Sequence, residues 1–161
     1  MKKKLLPSFK SVKNKKNLDQ LNSLVMSDRP EKARTEKIFK IQNNFLEEAI
    51  SKKDILLHGM FLEKKLIGYV RLPLVLEHTY LIEPILVSPF FRGKGFGKLF
   101  LNEVCRLVSN KKKFTILSNV EKDNPASIKL HKSCGFVFNP NPIQVGLDDV
   151  KEHLQMIKRF K

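Results

Sequence analysis

The chain has 161 residues, of which 42% are apolar and 29% charged, with 12 Phe, 2 Tyr, no Trp, 7 Gly and 8 Pro. That is the length of one domain, 1–161, with enough apolar side chain to build a core, which excludes a disordered or collagenous chain. Lys and Arg number 31 against 16 Asp and Glu, a formal net charge of +15, so the balance suits anionic partners.

No run reaches the roughly 18 uncharged apolar residues a membrane span requires, and none is expected. Residues 1–4 are basic, but the apolar stretch behind them is only Leu5 and Leu6 before Pro7, too short for the core of an export signal. Cys105 and Cys134 lack the paired spacing of a structural zinc site and are too few for a disulfide framework. They read as reduced thiols, in or near the core of a cytoplasmic protein. Seven lysines and no acid fall within residues 1–17, a basic N-terminal segment that includes the first strand, and residues 111–113 are all lysine. A solvated basic surface accounts for this pattern. Nucleic acid is the runner-up partner, because no aromatic side chains interleave the basic ones to stack bases.

In chain order, residues 8–12 read as a strand, and Leu18, Leu21, Leu24 and Val25 recur at helical spacing until Asp28, Arg29 and Pro30 interrupt it. Over 34–51 the positions Ile38, Ile41, Phe45, Leu46, Ala49 and Ile50 form one apolar stripe opposite a charged face, predicting a long amphipathic helix. Apolar runs at 55–62 and 66–76 flank the polar turn 63–65, and a third covers 79–88, predicting three strands in a meander. Pro73 and Pro84 donate no ladder hydrogen bond and are expected at edges, at bulges or where pairing stops. Phe96, Leu99, Phe100, Val104, Leu107 and Val108 mark a helix that begins at the glycines of 93–97 and ends near Asn110. Residues 114–120 read as a buried strand, 125–133 as a helix capped by Asn124, and 135–138 and 153–160 as closing strands. The fold class is mixed α/β, without repeats or a linker.

Two segments carry chemistry. In the first, Val87-Ser-Pro-Phe-Phe-Arg92-Gly-Lys-Gly95-Phe-Gly97-Lys98, a buried strand stops, a glycine-rich turn follows and a helix starts. Unpaired N–H groups at a helix start, with the positive end of its dipole, make a place for a phosphate or diphosphate, and glycine lets the backbone approach it. Gly97-Lys98 is followed by Leu99 rather than Ser or Thr, and the glycine spacing is not that of the dinucleotide fingerprint, so neither an ATPase nor a dehydrogenase fits. The second segment, Asn124-Pro-Ala-Ser127-Ile-Lys-Leu130-His131-Lys-Ser-Cys-Gly135-Phe136, is by itself ordinary helix punctuation.

Together, one strand apart and in this order, the segments resemble the GNAT superfamily of acyl-CoA-dependent N-acyltransferases. Val87, Pro89, Arg92, Gly93, Gly95 and Gly97 match its V-x-P-x-x-R/Q-G-x-G-x-G/A signature, and Asn124, Ser127, Leu130, Gly135 and Phe136 match a second pattern, N-x-x-A/S-x-x-L-x-x-x-x-G-F. The motif-bearing likeness covers residues 79–136. It implies a GNAT-like fold with a central mixed, mostly antiparallel, splayed sheet flanked by helices, and acetyl-CoA as cosubstrate with no metal. On the same resemblance, the diphosphate lies on the backbone of Arg92, Gly93, Lys94, Gly95, Phe96 and Gly97, beside Lys98. The pantetheine arm runs along Ile85, Leu86 and Val87 as a pseudo-strand, and Asn124 and Ser127 complete the cofactor contacts.

Acetyl transfer to an amine requires a base for the ammonium proton, donors for the developing oxyanion, and a proton for the departing thiolate. Glu83 holds a position similar to that of the general-base glutamate of some family members; otherwise it is a strand-edge carboxylate, with His78 and Tyr80 as weaker substitutes. His131 stands where many members carry the acid tyrosine, and is either the general acid or a packing residue. A main-chain N–H near Val87 suits the oxyanion. An acyl-Cys134 route lacks a supporting Cys-His-Asp arrangement, and His58, His78 and His153 form no ligand cluster for a metal. The expected function is N-acetylation of a primary amine, on a small molecule or a peptide, by a monomer or homodimer. Residues 18–51, 77–80 and 139–152 are expected to contact the acceptor. The alternative is a non-catalytic acyl-CoA-binding module, or a basic module for RNA or an acidic protein.

Overall fold

The structure, a computed structural model, describes residues 6–110 and 113–161. Residues 1–5 of the basic N-terminal segment, and Lys111 and Lys112, lie outside the described residues. Eight strands and four α-helices follow in the order β1 (Ser8–Ser11), α1 (Leu18–Asp28), α2 (Glu36–Ser51), β2 (Ile55–Leu62), β3 (Lys65–Leu76), β4 (Thr79–Ile82), β5 (Ile85–Val87), α3 (Phe96–Ser109), β6 (Thr115–Glu121), α4 (Pro125–Ser133), β7 (Val137–Phe138) and β8 (His153–Arg159). The sheet runs β1-β2-β3-β4-β6-β8-β7, with β5 pairing β3 off that path. Among the registered pairs only β4 with β6 is parallel, so the sheet is mixed and mostly antiparallel. Among the described residues no helix is long and apolar enough to cross a membrane.

Contacts gather into two compact units, the first running up to Arg71 and including Ile85–Phe96, the second comprising Leu72–Pro84 and Gly97–Lys161. In the first, Leu21, Leu24 and Val25 of α1 and Leu46 and Ala49 of α2 bury against Ile55, Leu57, Phe61, Leu66 and Tyr69, with Val12 closing the cluster. Each leucine so buried contributes about 2–3 kcal/mol of transfer free energy. A Cβ at Gly59 would lie 2.6 Å from both Leu66 Cδ1 and Val12 Cγ1, so a glycine stands where β2 meets its neighbours most closely. The α2 stripe departs from expectation at one turn. Ile41 is 56% exposed and Gln42 is buried, because Gln42, Leu46 and Ala49 fall at i, i+4 and i+7 on the packed face and Ile41 lies beside it; the Gln42 amide oxygen accepts from Arg29 Nη2 at 3.4 Å.

In the second unit, α3 buries Phe100, Leu101, Val104, Cys105 and Val108; Phe100, Val104 and Val108 lie on the face read from the sequence, whereas Leu99 is exposed and Leu101 and Cys105 take its place in the core. Leu130 of α4 lies 3.4 Å from where a Cβ on Gly97 would stand, so the start of α3 lies close to the second half of α4. Leu81, Leu117 and Ile157 form a core layer on one sheet face, with Val75 and Val145 against it. Cys105 and Cys134 are both free and buried, as expected of reduced thiols.

The third apolar run is not one strand. Pairing with β3 passes from β5, at Gly68–Val70, to β4, at Leu74 and Leu76, and Pro73 stands where the partner changes. Glu83 and Pro84, joined by a cis peptide bond, separate β4 from β5. Both prolines therefore fall where ladder pairing is interrupted.

Candidate functional site

The antiparallel ladder settles which edge of β5 is open. Ser88 N–H donates to Ile67 O at 2.8 Å, and the register continues through Val87 opposite Gly68 and Leu86 opposite Tyr69. Antiparallel pairs alternate their hydrogen-bonding direction, so the N–H and C=O of Val87 and Ile85 face away from β3. Among the described residues β3 is the only strand paired with β5. The Val87 carbonyl on this edge accepts from Arg92 Nε at 2.9 Å, while Arg92 Nη2 pairs with Asp28. The guanidinium expected beside a phosphate thus meets a strand-end carbonyl and a carboxylate of α1.

After Arg92 the backbone turns left-handed twice, with φ +72° at Gly93 and +83° at Gly95, a conformation that costs L side chains and not glycine. A Cβ at either position would meet nothing within 4 Å, so the space over the turn is open. Helix α3 begins at Phe96, and the N–H groups of its first turn have no partner within the helix. Lys94 Nζ donates to the Phe90 carbonyl at 3.0 Å, and Phe96 lies edge-on to Phe91 at 6.0 Å.

Asn124 and Ser127 act locally. Asn124 Oδ1 accepts from Ser127 N at 3.0 Å and caps α4, which also has Pro125 at its first position. His131, one turn after Ser127, is buried, with Nδ1 2.8 Å from the Ser127 carbonyl and its ring edge-on to Phe136 at 5.1 Å. A carbonyl only accepts, so Nδ1 carries the proton, and Nε2 is a buried acceptor with no hydrogen-bond partner. Burial lowers the histidine below its ordinary pKa, and the Ser127 bond only partly opposes this. Its one proton therefore points into the helix backbone, which favours packing over acid catalysis.

Glu83 ends the β4 face that carries Thr79 and Leu81. Registered beside it are Thr115, Leu117 and Asn119 on β6, and Arg159, Ile157 and Gln155 on β8. The 139–147 segment binds to this face at two places. Gln155 accepts from Asn139 Nδ2 at 2.8 Å and Ile143 N at 3.1 Å, and donates to Asn119 Oδ1 at 3.1 Å and Ile143 O at 2.9 Å. Farther along, Leu147 N–H donates to Glu83 Oε1 at 2.6 Å. Gly146 makes that contact possible: its φ is +77°, and a Cβ there would stand 2.5 Å from Glu83 Oε1. A cavity of about 280 Å³ lined by Thr79, Thr115, Asn141 and Arg159 opens at the other end of the face. Four strand residues, about 13 Å, separate Thr79 from Glu83, so this cavity lies away from the carboxylate.

The sequence reading missed Gln155, Asn119, Gly146 and Leu147. The available signal was an amide among the apolar positions of each of two strands, and a lone glycine in a polar loop. The weaker base candidates lie apart: Tyr80 is buried and stacks on Phe114 at 5.5 Å, and His78 stands in an exposed turn with Nε2 3.4 Å from Glu77. Burial raises the Cys105 thiol, and Cys134 Sγ lies 3.9 Å from the Lys98 carbonyl. Among the described residues no group of three or more His, Cys, Asp or Glu is placed to hold a metal.

Two predictions follow from this geometry. Gly146→Ala is expected to cost about 1–3 kcal/mol in urea unfolding, from backbone strain and crowding of Glu83; wild-type stability would mean that the loop does not rest on the carboxylate. Because the folded-state pKa of His131 is lowered, the unfolded chain takes up its proton first as pH falls. The stability of the neutral form is present above about pH 6.5 and is lost below it. His131→Phe should therefore lose less stability than wild type between pH 7 and pH 5, and equal losses would place the imidazole in a hydrated setting.

The acetyltransferase (GNAT) family model matches residues 18–136. An L-methionine sulfoximine/L-methionine sulfone acetyltransferase of Salmonella typhimurium is 33% identical over 63 residues, 39% of this chain and 37% of that protein. An L-amino acid N-acyltransferase of Escherichia coli is 34% identical over 62 residues, 38% and 36% of the two. The chain thus matches little more than a third of the length of these curated relatives. Solved structures share the fold over nearly the whole chain. The PaiA N-acetyltransferase of Thermoplasma acidophilum in complex with coenzyme A has TM-score 0.77 at 16% identity, covering 96% of this chain and 99% of that one. The spermidine N-acetyltransferase of Vibrio cholerae in complex with CoA and spermine has TM-score 0.70 at 18% identity, covering 95% of each. With its family model spanning most of the chain and both motifs standing on the elements that give them meaning, this chain belongs to the acetyltransferase (GNAT) family.

Proposed function

We propose that the chain is an acetyl-CoA-dependent N-acetyltransferase that passes an acetyl group to a primary amine by direct attack on the thioester. The observation that carries this reading is the continuous segment from the open edge of β5, through the two left-handed glycines, into the first turn of α3. The room over Gly93 and Gly95 fits a diphosphate, which the N–H groups of 93–98 would hold with the positive end of the helix dipole behind them. Lys94 and Lys98 add charge at the rim. The open N–H and C=O groups of β5 would take the amides of the pantetheine arm in the manner of an added strand. When bound, acetyl-CoA supplies an activated acyl group.

The chain's own contribution is to orient that group and to move one proton. Glu83 accepts the proton that makes the acceptor an amine with a free lone pair, a need set by an ammonium pKa near 10. The Leu147 N–H fixes the carboxylate. The Val87 N–H, facing the open edge, is the donor for charge on the acyl oxygen. His131 packs α4 against Phe136, and a thiolate with a pKa near that of cysteine leaves without its help and takes up the proton that the new amide nitrogen sheds. The acceptor is a small primary amine, with an α-amino acid favoured. Two relatives are named for acylating amino acids or their analogues, and a chain of charge +15 slows encounter with a polycation.

Glu83→Gln should lower turnover by about 100-fold or more in a thiol-release assay across an amine panel, most strongly at the lower pH values, where neutral amine is scarce, while acetyl-CoA affinity is retained. An unchanged rate would remove Glu83 from the reaction. Tight coenzyme binding with no turnover on any amine would favour the non-catalytic module.

A further inference from the structure

We infer that Gln155, a buried amide of β8, is the positioning residue of the proposed base: it clamps the 139–147 segment so that the Leu147 N–H is delivered to the Glu83 carboxylate. This deepens the acetyltransferase reading above and rests on it. Gln155 is 3% exposed and shares a sheet face with Leu117 and Ile157, directly opposite Asn119 in the β6–β8 register. An isoleucine or leucine there would continue that apolar layer, and a buried amide costs free energy unless its groups are paired. Here they are. Oε1 accepts from Asn139 Nδ2 at 2.8 Å and from Ile143 N–H at 3.1 Å, while Nε2 donates to Asn119 Oδ1 at 3.1 Å and to the Ile143 carbonyl at 2.9 Å. Three of these four bonds go to the 139–147 segment, and both main-chain groups of Ile143 end on this one side chain.

The segment belongs to no helix or strand, so its main-chain groups depend on such partners. Asn119 Nδ2 reaches the Val145 carbonyl at 3.5 Å, and Val145 rests on the layer of Leu81, Leu117 and Ile157. Val145 and Leu147 are two residues apart, a reach of about 7 Å at full extension, so once 143 and 145 are held the Leu147 N–H has little freedom left. It lies 2.6 Å from Glu83 Oε1. An apolar side chain of similar size at 155 would fill the space but leave the Ile143 N–H and C=O unpaired; these would turn to water and take the loop with them. The polarity of Gln155 thus acts on the reaction through the loop, without touching a reacting atom.

The test compares the full chain as wild type, Gln155→Met, Glu83→Gln and the double variant in the thiol-release assay, with hydrogen exchange of the Leu147 amide followed by NMR. Gln155→Met should lower kcat by about 10-fold, the scale of a slightly misplaced reacting group, with coenzyme A affinity within about 2-fold of wild type. In the Glu83→Gln background the same substitution should cost less than about 2-fold, because the loop then has no carboxylate to place. Leu147 exchange should speed up by about 10-fold or more while the amides of β4 and β6 stay protected. Asn119→Ala removes one partner of the same amide and should show the same pattern at smaller size, which keeps the test available if Gln155→Met folds poorly. Unchanged kcat, an equal loss with and without Glu83, or unchanged Leu147 exchange overturns the positioning role and leaves Gln155 a core amide. If wild type turns over no amine, the acetyltransferase reading fails and the catalytic role of the clamp with it, even where Leu147 exchange shows that the clamp holds the loop.

Discussion

A helix cannot satisfy the N–H groups of its own first turn, and this chain places that deficit at the end of a strand with one open edge. The structure around Gly93 and Gly95 serves to keep those donors available. Glycine allows the two left-handed residues, the space above them is clear, and Arg92, which would otherwise swing freely over the turn, is tied to Val87 and Asp28. Charge at the rim comes from lysines. The outcome is the site proposed for the diphosphate, built largely from main chain.

The proposed base is prepared by similar means. Glu83 stands just past the end of β4, and the segment that covers the neighbouring face is tied down by a buried glutamine with four hydrogen bonds, then by the Leu147 N–H on the carboxylate itself. A buried amide whose donors and acceptors are all met holds a loop more sharply than apolar contact does. Gly146 is the point at which loop and carboxylate come close enough to bond. His131, by contrast, spends its proton on its own helix, and its buried Nε2 is the local cost of fitting a polar ring against Phe136.

Much of this was legible beforehand, because the decisive signals were local. The cap at Asn124, proline after it and glycine at 135 delimited α4, and the strand, glycine turn and helix start were contiguous in the chain. Periodicity located α1, α2 and α3. At Ile41 and Gln42 apolar character misled, since the helix turn sets Gln42 with Leu46 and Ala49 on the buried face whatever its polarity. Residues 79–88 looked like one strand because apolar character does not record which neighbour each half pairs with. The engagement of Arg92 by Asp28, the Gln155 network and the rest of Gly146 on Glu83 join residues far apart in sequence. No spacing rule encodes such contacts; they appear only when the register is known.

The most direct test of the central claim is a coenzyme A titration of the ¹⁵N-labelled chain followed by amide NMR. The account predicts saturable shifts that are largest at the amides of 93–98, with smaller ones at Ile85 and Val87. Saturable shifts confined to other residues, or none at millimolar coenzyme, would contradict it.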